Sequence, residues 1–206
     1  MSFPDQTYPS AGAYVAGYRD ETIRAWASVD LAAFDRAATM LDSAIRGRRM
    51  IFACGNGGSA AISNHLLCDM FKGVQADTDL RPRVVSLASH LELITAIAND
   101  FAYDEVFSYQ LKTMAAPGDV LITISSSGNS ENIVRAIDWA RGNGVGSISM
   151  TGFAGGRSKP LADINLHVAA ENYGVVEDIH QSMMHCLAQY LRQSAMPADL
   201  VARRVF

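Results

Sequence analysis

Met50-Ile-Phe-Ala-Cys-Gly-Asn-Gly-Gly-Ser59 is the stretch that decides the fold. Its first five residues carry no charge and read as a strand, Met50–Cys54, buried on both faces. The glycine-rich turn that follows runs straight into helical spacing from Ser59 to Lys72. The same order recurs at VLITISSSGNS, residues 120–130, where an apolar run ends in serines and a helix follows over Ser130–Asn143. Further strands are predicted at Val84–Ala88, Ser147–Thr151 and Ile164–Val168. Helices are predicted at His90–Asn99, Asp104–Ala115 and from about Val175 to Gln193. Uncharged strands alternating with helices predict an α/β fold: a doubly wound, mostly parallel five-stranded sheet. Before it, apolar residues at helical spacing predict a helical hairpin. One helix lies within Ala11–Ser28 and the other starts after the N-cap Asp30 and stops before Gly47. With no repeat, low-complexity segment or linker, residues 1–206 read as one domain: helices over 1–48, an α/β core over 49–194 and a tail over 195–206.

The 206 residues suffice for a core without disulfide or metal staples, and 17 basic against 21 acidic residues leave a net charge of −4. That balance, with no Lys/Arg block, excludes an electrostatic footprint for nucleic acid or an anionic membrane surface. Charged residues make up 18%, below the roughly 25% of typical soluble domains, so part of the surface is expected to lie under another subunit. The amino-terminal MSFPDQTYPSAG lacks the basic and apolar regions of a signal peptide, and no apolar run is long enough to cross a membrane. Three cysteines without CxxC spacing fit a reducing, cytoplasmic setting.

Ligands of open parallel sheets gather beyond the carboxyl ends of the strands. Glycines there let backbone N–H groups approach an anion, hydroxyls donate further bonds, and helix N-termini add partial positive charge. One such loop alone is better explained as a tight turn with a capping hydroxyl. Two, after the first and third strands, favour an anion cradle. No GxxxxGK[ST] is present and GNGGS lacks GxGxxG spacing, so the anion is a small phosphate ester and no nucleotide cofactor is expected. On helices, His65 and Asp69 share one face, as do Glu177, Gln181 and His185. These residue types suit a zinc-like ion, although spacing alone favours ordinary surface or interface pairs. Asp178 and His180, with Glu177, also fit a solvated charged turn.

The stretches GNGGS (55–59), TAIANDFAYDEVF (95–107), GDVLITISSSGNSENIVRAI (118–137), TGFAGGRSKPLAD (151–163) and VVEDIHQSMMHCL (175–187) resemble the sugar isomerase (SIS) domain proteins, and among them the phosphoheptose isomerases. The resemblance implies a flavodoxin-like sheet and aldose–ketose isomerisation of sedoheptulose 7-phosphate through an enediol(ate). It also implies a homotetramer with sites at subunit boundaries and one Zn2+ per subunit. By the same match, Asn56, Gly57, Gly58 and Ser59 contact the sugar phosphate and Asn99 and Asp100 hold its hydroxyls. Ser125, Ser126, Ser127 and Ser130 grip the phosphate, with Glu177 beside the substrate. Asp69 and His185 transfer protons, and His65, Asp69, Glu177 and His185 form the metal set. The family usually has Glu where this chain has Asp69, and Gln where it has Glu177. Asp reaches about 1.5 Å less far than Glu, and the two changes read together as an exchange that keeps four ligands. Two alternatives stand beside this reading: a non-catalytic sugar-phosphate-binding adaptor of the kind that associates with the replication initiator, and an isomerase of another ketose phosphate.

Overall fold

A computed structural model describes residues 3–206. The apolar runs form five strands, β1 (Met50–Gly55), β2 (Arg83–Ser86), β3 (Val120–Ser125), β4 (Gly146–Thr151) and β5 (Ile164–His167). All are parallel, in the order β2-β1-β3-β4-β5. The chain runs from β1 outward to β2, then crosses back over β1 to lay β3 on its other side. That reversal opens a crevice at the carboxyl ends of β1 and β3, where connections depart to opposite faces. The register puts Gly55 beside Ile124 and Ser125 beside Thr151.

Because side chains alternate along a strand, the sheet feeds two cores. Ile51, Ala53, Ile122, Ile124, Ile148 and Met150 face the amino-terminal hairpin and the carboxyl-terminal helix, whereas Phe52, Cys54 and Leu121 face a second cluster with Leu87, Ile97, Leu111 and Ile137. The hairpin is α1 (Ala11–Ala27) and α2 (Leu31–Arg46), capped by Ser10 and Asp30 at their starts and by Gly47 at the end of α2. The Tyr18 hydroxyl of α1 donates to Asp178 Oδ2 at 2.6 Å, tying the hairpin to the long helix that carries much of the site.

The other helices are α3 (Gly58–Cys68), α4 (Leu91–Asp100), α5 (Ser108–Met114), α6 (Glu131–Gly142), α7 (Ser158–Leu161), α8 (Tyr173–Ala195) and α9 (Ala198–Val201). Two predicted helices are interrupted. The one expected to reach Lys72 ends at Cys68 and continues as a π-helical turn, Asp69–Gly73, closed by Val74 N donating to the Asp69 carbonyl at 2.9 Å. The one expected over Asp104–Ala115 is a 3-10 turn, Tyr103–Glu105, then α5; the break lets the adjacent side chains of Val106 and Phe107 both enter the core. No helix among the described residues is long and apolar enough to cross a membrane.

Candidate active site

Asn56, Ser59, Ser125, Ser126, Ser127 and Ser130 line a cavity of about 160 Å³ over the β1–β3 crevice, closed on one side by Tyr173 and Glu177 of α8. Gly57, at φ 53°, turns the chain from β1 into α3. A Cβ on Gly55 would lie 2.6 Å from the Ser59 backbone, so only glycine lets the turn close this tightly. A Cβ on Gly58 would lie 2.5 Å from Glu177 Oε2. Glycine there leaves the place the carboxylate occupies.

The serine loop is prepared for an anion. Ser125 Oγ accepts from Gly128 N at 3.2 Å and Ser127 Oγ accepts from Asn129 N at 3.2 Å. A hydroxyl that already accepts still has its own O–H to give, so both are oriented as donors. Ser130, the N-cap of α6, makes no side-chain capping bond. Ser126 Oγ is buried and has no partner among the described residues. An unpaired buried hydroxyl is costly unless a ligand satisfies it. The starts of α3 and α6 both abut the cavity and add favourable dipoles.

The loop is held from two directions. Asn56 and Asn132 exchange side-chain hydrogen bonds at 3.0 and 2.9 Å, and the Tyr103 hydroxyl donates to Asn56 Oδ1 at 2.8 Å. Sequence reading missed Asn132 and Tyr103. Asn132 lies two residues past the serine loop, and such a cross-strand amide pair leaves no local signature. On the other side, Ser158 N donates to the Gly128 carbonyl at 2.9 Å and Arg157 N to Asn129 Oδ1 at 3.1 Å. Gly128, at φ 65°, sits so close to the Gly155 carbonyl that a Cβ would collide with it.

A second group lies further along α8. His185 Nδ1 is 2.9 Å from Asp69 Oδ2, His65 Nε2 is 3.4 Å from Asp69 Oδ1, and the two rings stand edge to face at 4.8 Å. One donor atom from each of His65, Asp69 and His185 lies within 4.8 Å of the others. Two imidazole nitrogens and a carboxylate oxygen form a donor set that fits a borderline divalent ion. The amide of Gln181 touches both rings, at 3.1 Å from His65 Nδ1 and 2.9 Å from His185 Nε2. These are the ring nitrogens other than the pair that faces Asp69.

Within one chain, three groups of expected residues lie elsewhere than the sequence suggested. Glu177 is not in the metal-capable group; it lies against Gly58 and the serine cavity, while Gln181, one turn on, contacts both imidazole rings. Asn99 and Asp100 are not brought to the cavity either, but sit exposed at the end of α4, where Asn99 Nδ2 donates to Asp100 Oδ1 at 2.8 Å. His180 is not part of a solvated turn. It is fully buried on α8, and burial pushes its imidazole down to about 4, so the ring is neutral.

Comparison with known proteins matches this arrangement. The family model for the SIS domain covers residues 17–152. The chain belongs to the SIS domain family. Within it, the chain is 33% identical over 168 residues to a phosphoheptose isomerase of Shewanella denitrificans, covering 80% of this chain and 85% of the relative. A phosphoheptose isomerase of Shewanella pealeana is 34% identical over 167 residues, covering 80% and 84%. Among solved structures, a phosphoheptose isomerase from Neisseria gonorrhoeae aligns with TM-score 0.81 at 30% identity, over 88% of this chain and 98% of that one. One from Francisella tularensis gives TM-score 0.81 at 25% identity, over 88% and 96%. The SIS domain thus accounts for the sheet order and for the position of the crevice.

Proposed function

We propose that this chain is a phosphoheptose isomerase, converting sedoheptulose 7-phosphate to D-glycero-D-manno-heptose 7-phosphate. The observation that carries the reading is the placement of two unlike groups along one face of α8: a hydroxyl-lined anion cavity at Glu177, and an imidazole–carboxylate cluster at His185. Eight residues of helix separate these positions, about 12 Å. An extended seven-carbon sugar phosphate spans about 10 Å from phosphorus to its first carbon, by ordinary bond lengths. Held by its phosphate among the serines, such a ketose presents its reacting end to Asp69 and His185.

The reaction needs no oxidant. Asp69 takes a proton from C1 while His185 gives one to the C2 carbonyl oxygen, leaving an enediol. Returning a proton to C2 while the C1 hydroxyl loses its own gives the aldehyde. The Asp69–His185 contact holds the imidazole in place, and the serine loop supplies binding energy remote from the reacting carbons. We infer that His65, Asp69 and His185 hold a zinc ion. Such an ion supplies polarisation of the sugar oxygens. A homotetramer accords with the low charge content and with the exposed Leu91, Phe101 and Tyr109 beside α4 and α5, and a cytoplasmic setting accords with the three free cysteines.

Incubation with sedoheptulose 7-phosphate, followed by NMR, should show aldose phosphate. Asp69→Asn should lower turnover by a factor on the order of 100 or more, with affinity for the phosphate ester nearly unchanged. Binding without turnover of any ketose phosphate would transfer the chain to the adaptor reading. Turnover of a different ketose phosphate alone would correct the substrate.

A further inference from the structure

Asp69 stands at the first position of the π-helical turn Asp69–Gly73, a geometry that re-aims side chains and recurs at functional sites. The turn is thinly supported on one side. A hollow of about 430 Å³ lies beneath it, with Asp69, Lys72, Gly73 and Ala76 on one wall and Arg192 and Phe206 on the other. A Cβ on Gly73 would meet nothing within 4 Å. Close contact therefore does not fix the turn at Gly73, whereas Met70 and Val74 pack into the core on its other side.

A side-chain clamp stands beside the hollow, just past the turn. The guanidinium of Arg192 donates through Nε to the Ala76 carbonyl at 3.1 Å, through Nη2 to Asp77 Oδ2 at 3.2 Å and through Nη1 to the Val205 carbonyl at 3.0 Å. It also lies 4.7 Å from the centre of the Phe206 ring. Arg204 Nη2 donates to the other oxygen of Asp77 at 3.0 Å. Asp77 itself adopts φ 60°, a left-handed conformation uncommon outside glycine but one that Asp tolerates. The side chain of Arg192 is only 11% exposed, so this pairing is less screened than an ordinary surface ion pair. The carboxyl-terminal tail, for which the sequence offered no role, is thus tied back to its own chain four residues beyond the turn that bears Asp69.

We propose that Asp77, held by Arg192 and by Arg204 of the tail, is a positioning residue that keeps the π-helical turn in the register placing the Asp69 carboxylate against His185. The inference rests on the proposed isomerase reading for its kinetic consequence, but not for its structural one. Without the clamp, the turn relaxes toward the hollow and Asp69 loses its 2.9 Å contact. The serine cavity, at the opposite end of the α8 face, is untouched.

The test uses the full-length chain with Asp77→Asn and, separately, a chain ending after Ala202. Turnover of sedoheptulose 7-phosphate should fall about 10-fold in kcat with KM within twofold, matching the usual effect of outer-shell changes. At fixed pH and without added metal, the imidazole ring signals of His65 and His185 should shift in NMR spectra while the amide spectrum of the sheet stays in place. Gly73→Ala, which puts a methyl into the hollow and stiffens the turn, should restore part of the lost kcat when combined with Asp77→Asn. Unshifted ring signals, or a kcat within twofold of the parent, would overturn the proposal. So would a loss shared equally between kcat, KM and the sheet's amide signals, because that is general destabilisation. If the parent shows no turnover, the isomerase reading falls, and the ring signals alone decide the clamp.

Discussion

Adding one methyl group at Gly128 should be among the most damaging small changes in the chain. The residue sits at φ 65° in the serine loop, and its built Cβ would run into the Gly155 carbonyl and lie 3.2 Å from Gly156 N. Both obstacles are backbone, so neither can swing aside as a side chain tip would. The left-handed conformation costs alanine roughly 1–2 kcal/mol. Forcing the loops apart adds about 1–3 kcal/mol, by the usual penalty for overpacking. Gly128→Ala should therefore lose about 2–5 kcal/mol. At a urea dependence of about 2 kcal/mol per molar, that lowers the unfolding midpoint by roughly 1–2.5 M. Urea titration followed by tryptophan fluorescence measures it. Gly142→Ala serves as the opposite control: it closes α6, its Cβ meets nothing within 4 Å, and it should raise stability by about 0.5–1 kcal/mol. A midpoint for Gly128→Ala indistinguishable from the parent would refute the steric reasoning. It would show the serine and Gly155 loops to be free of one another.

Other substitutions separate binding from folding. Ser126→Ala removes a buried hydroxyl that has no partner, so it should leave stability equal or higher while weakening sugar-phosphate binding about 10-fold, as expected for one lost bond to a charged ligand; calorimetry and urea titration together decide. Glu177 places a carboxylate on the wall of an anion cavity, so Glu177→Gln should lower KM for the phosphate ester about fivefold by removing like-charge repulsion. A higher KM would instead make Glu177 an acceptor of sugar hydroxyls. Glu105 is held down to about 2, chiefly by the Ser108 hydroxyl, then by Arg135 and Lys112. A lowered carboxylate stabilises the fold above its unfolded value near 4.5, and that contribution disappears as the pH falls from about 4.5 to about 2. Glu105→Gln should flatten the acid side of the stability profile in that window; an unchanged slope would discount the network.

What the sequence makes legible follows from how local each cause is. The strands show as mainly apolar runs because both sheet faces are covered, and β1, β2 and β3 end at Gly or Ser, where the backbone turns without hindrance. The hairpin shows through Asp30 and Gly47, whose capping acts within one turn. The π-helical turn leaves no such trace. Asp69 follows His65 by four residues whether or not the next turn widens, so periodicity predicts an unbroken helix. Spacing also places Glu177, Gln181 and His185 on one face without saying which rung meets His65. Only the height of α3 against α8 assigns Gln181 to the histidines and Glu177 to the serines. The Asn56–Asn132 exchange joins positions 76 residues apart, and Asn99 and Asp100 matched a motif whose surroundings in this chain leave them facing outward.

The meeting of Gly128 with Gly155 and Gly156 has a consequence for how this molecule can diverge. Two segments that touch main chain to main chain behave as a mortise and tenon: neither can be recut alone. Variants that reshape the ester grip must arrive as matched pairs of changes, one in each segment.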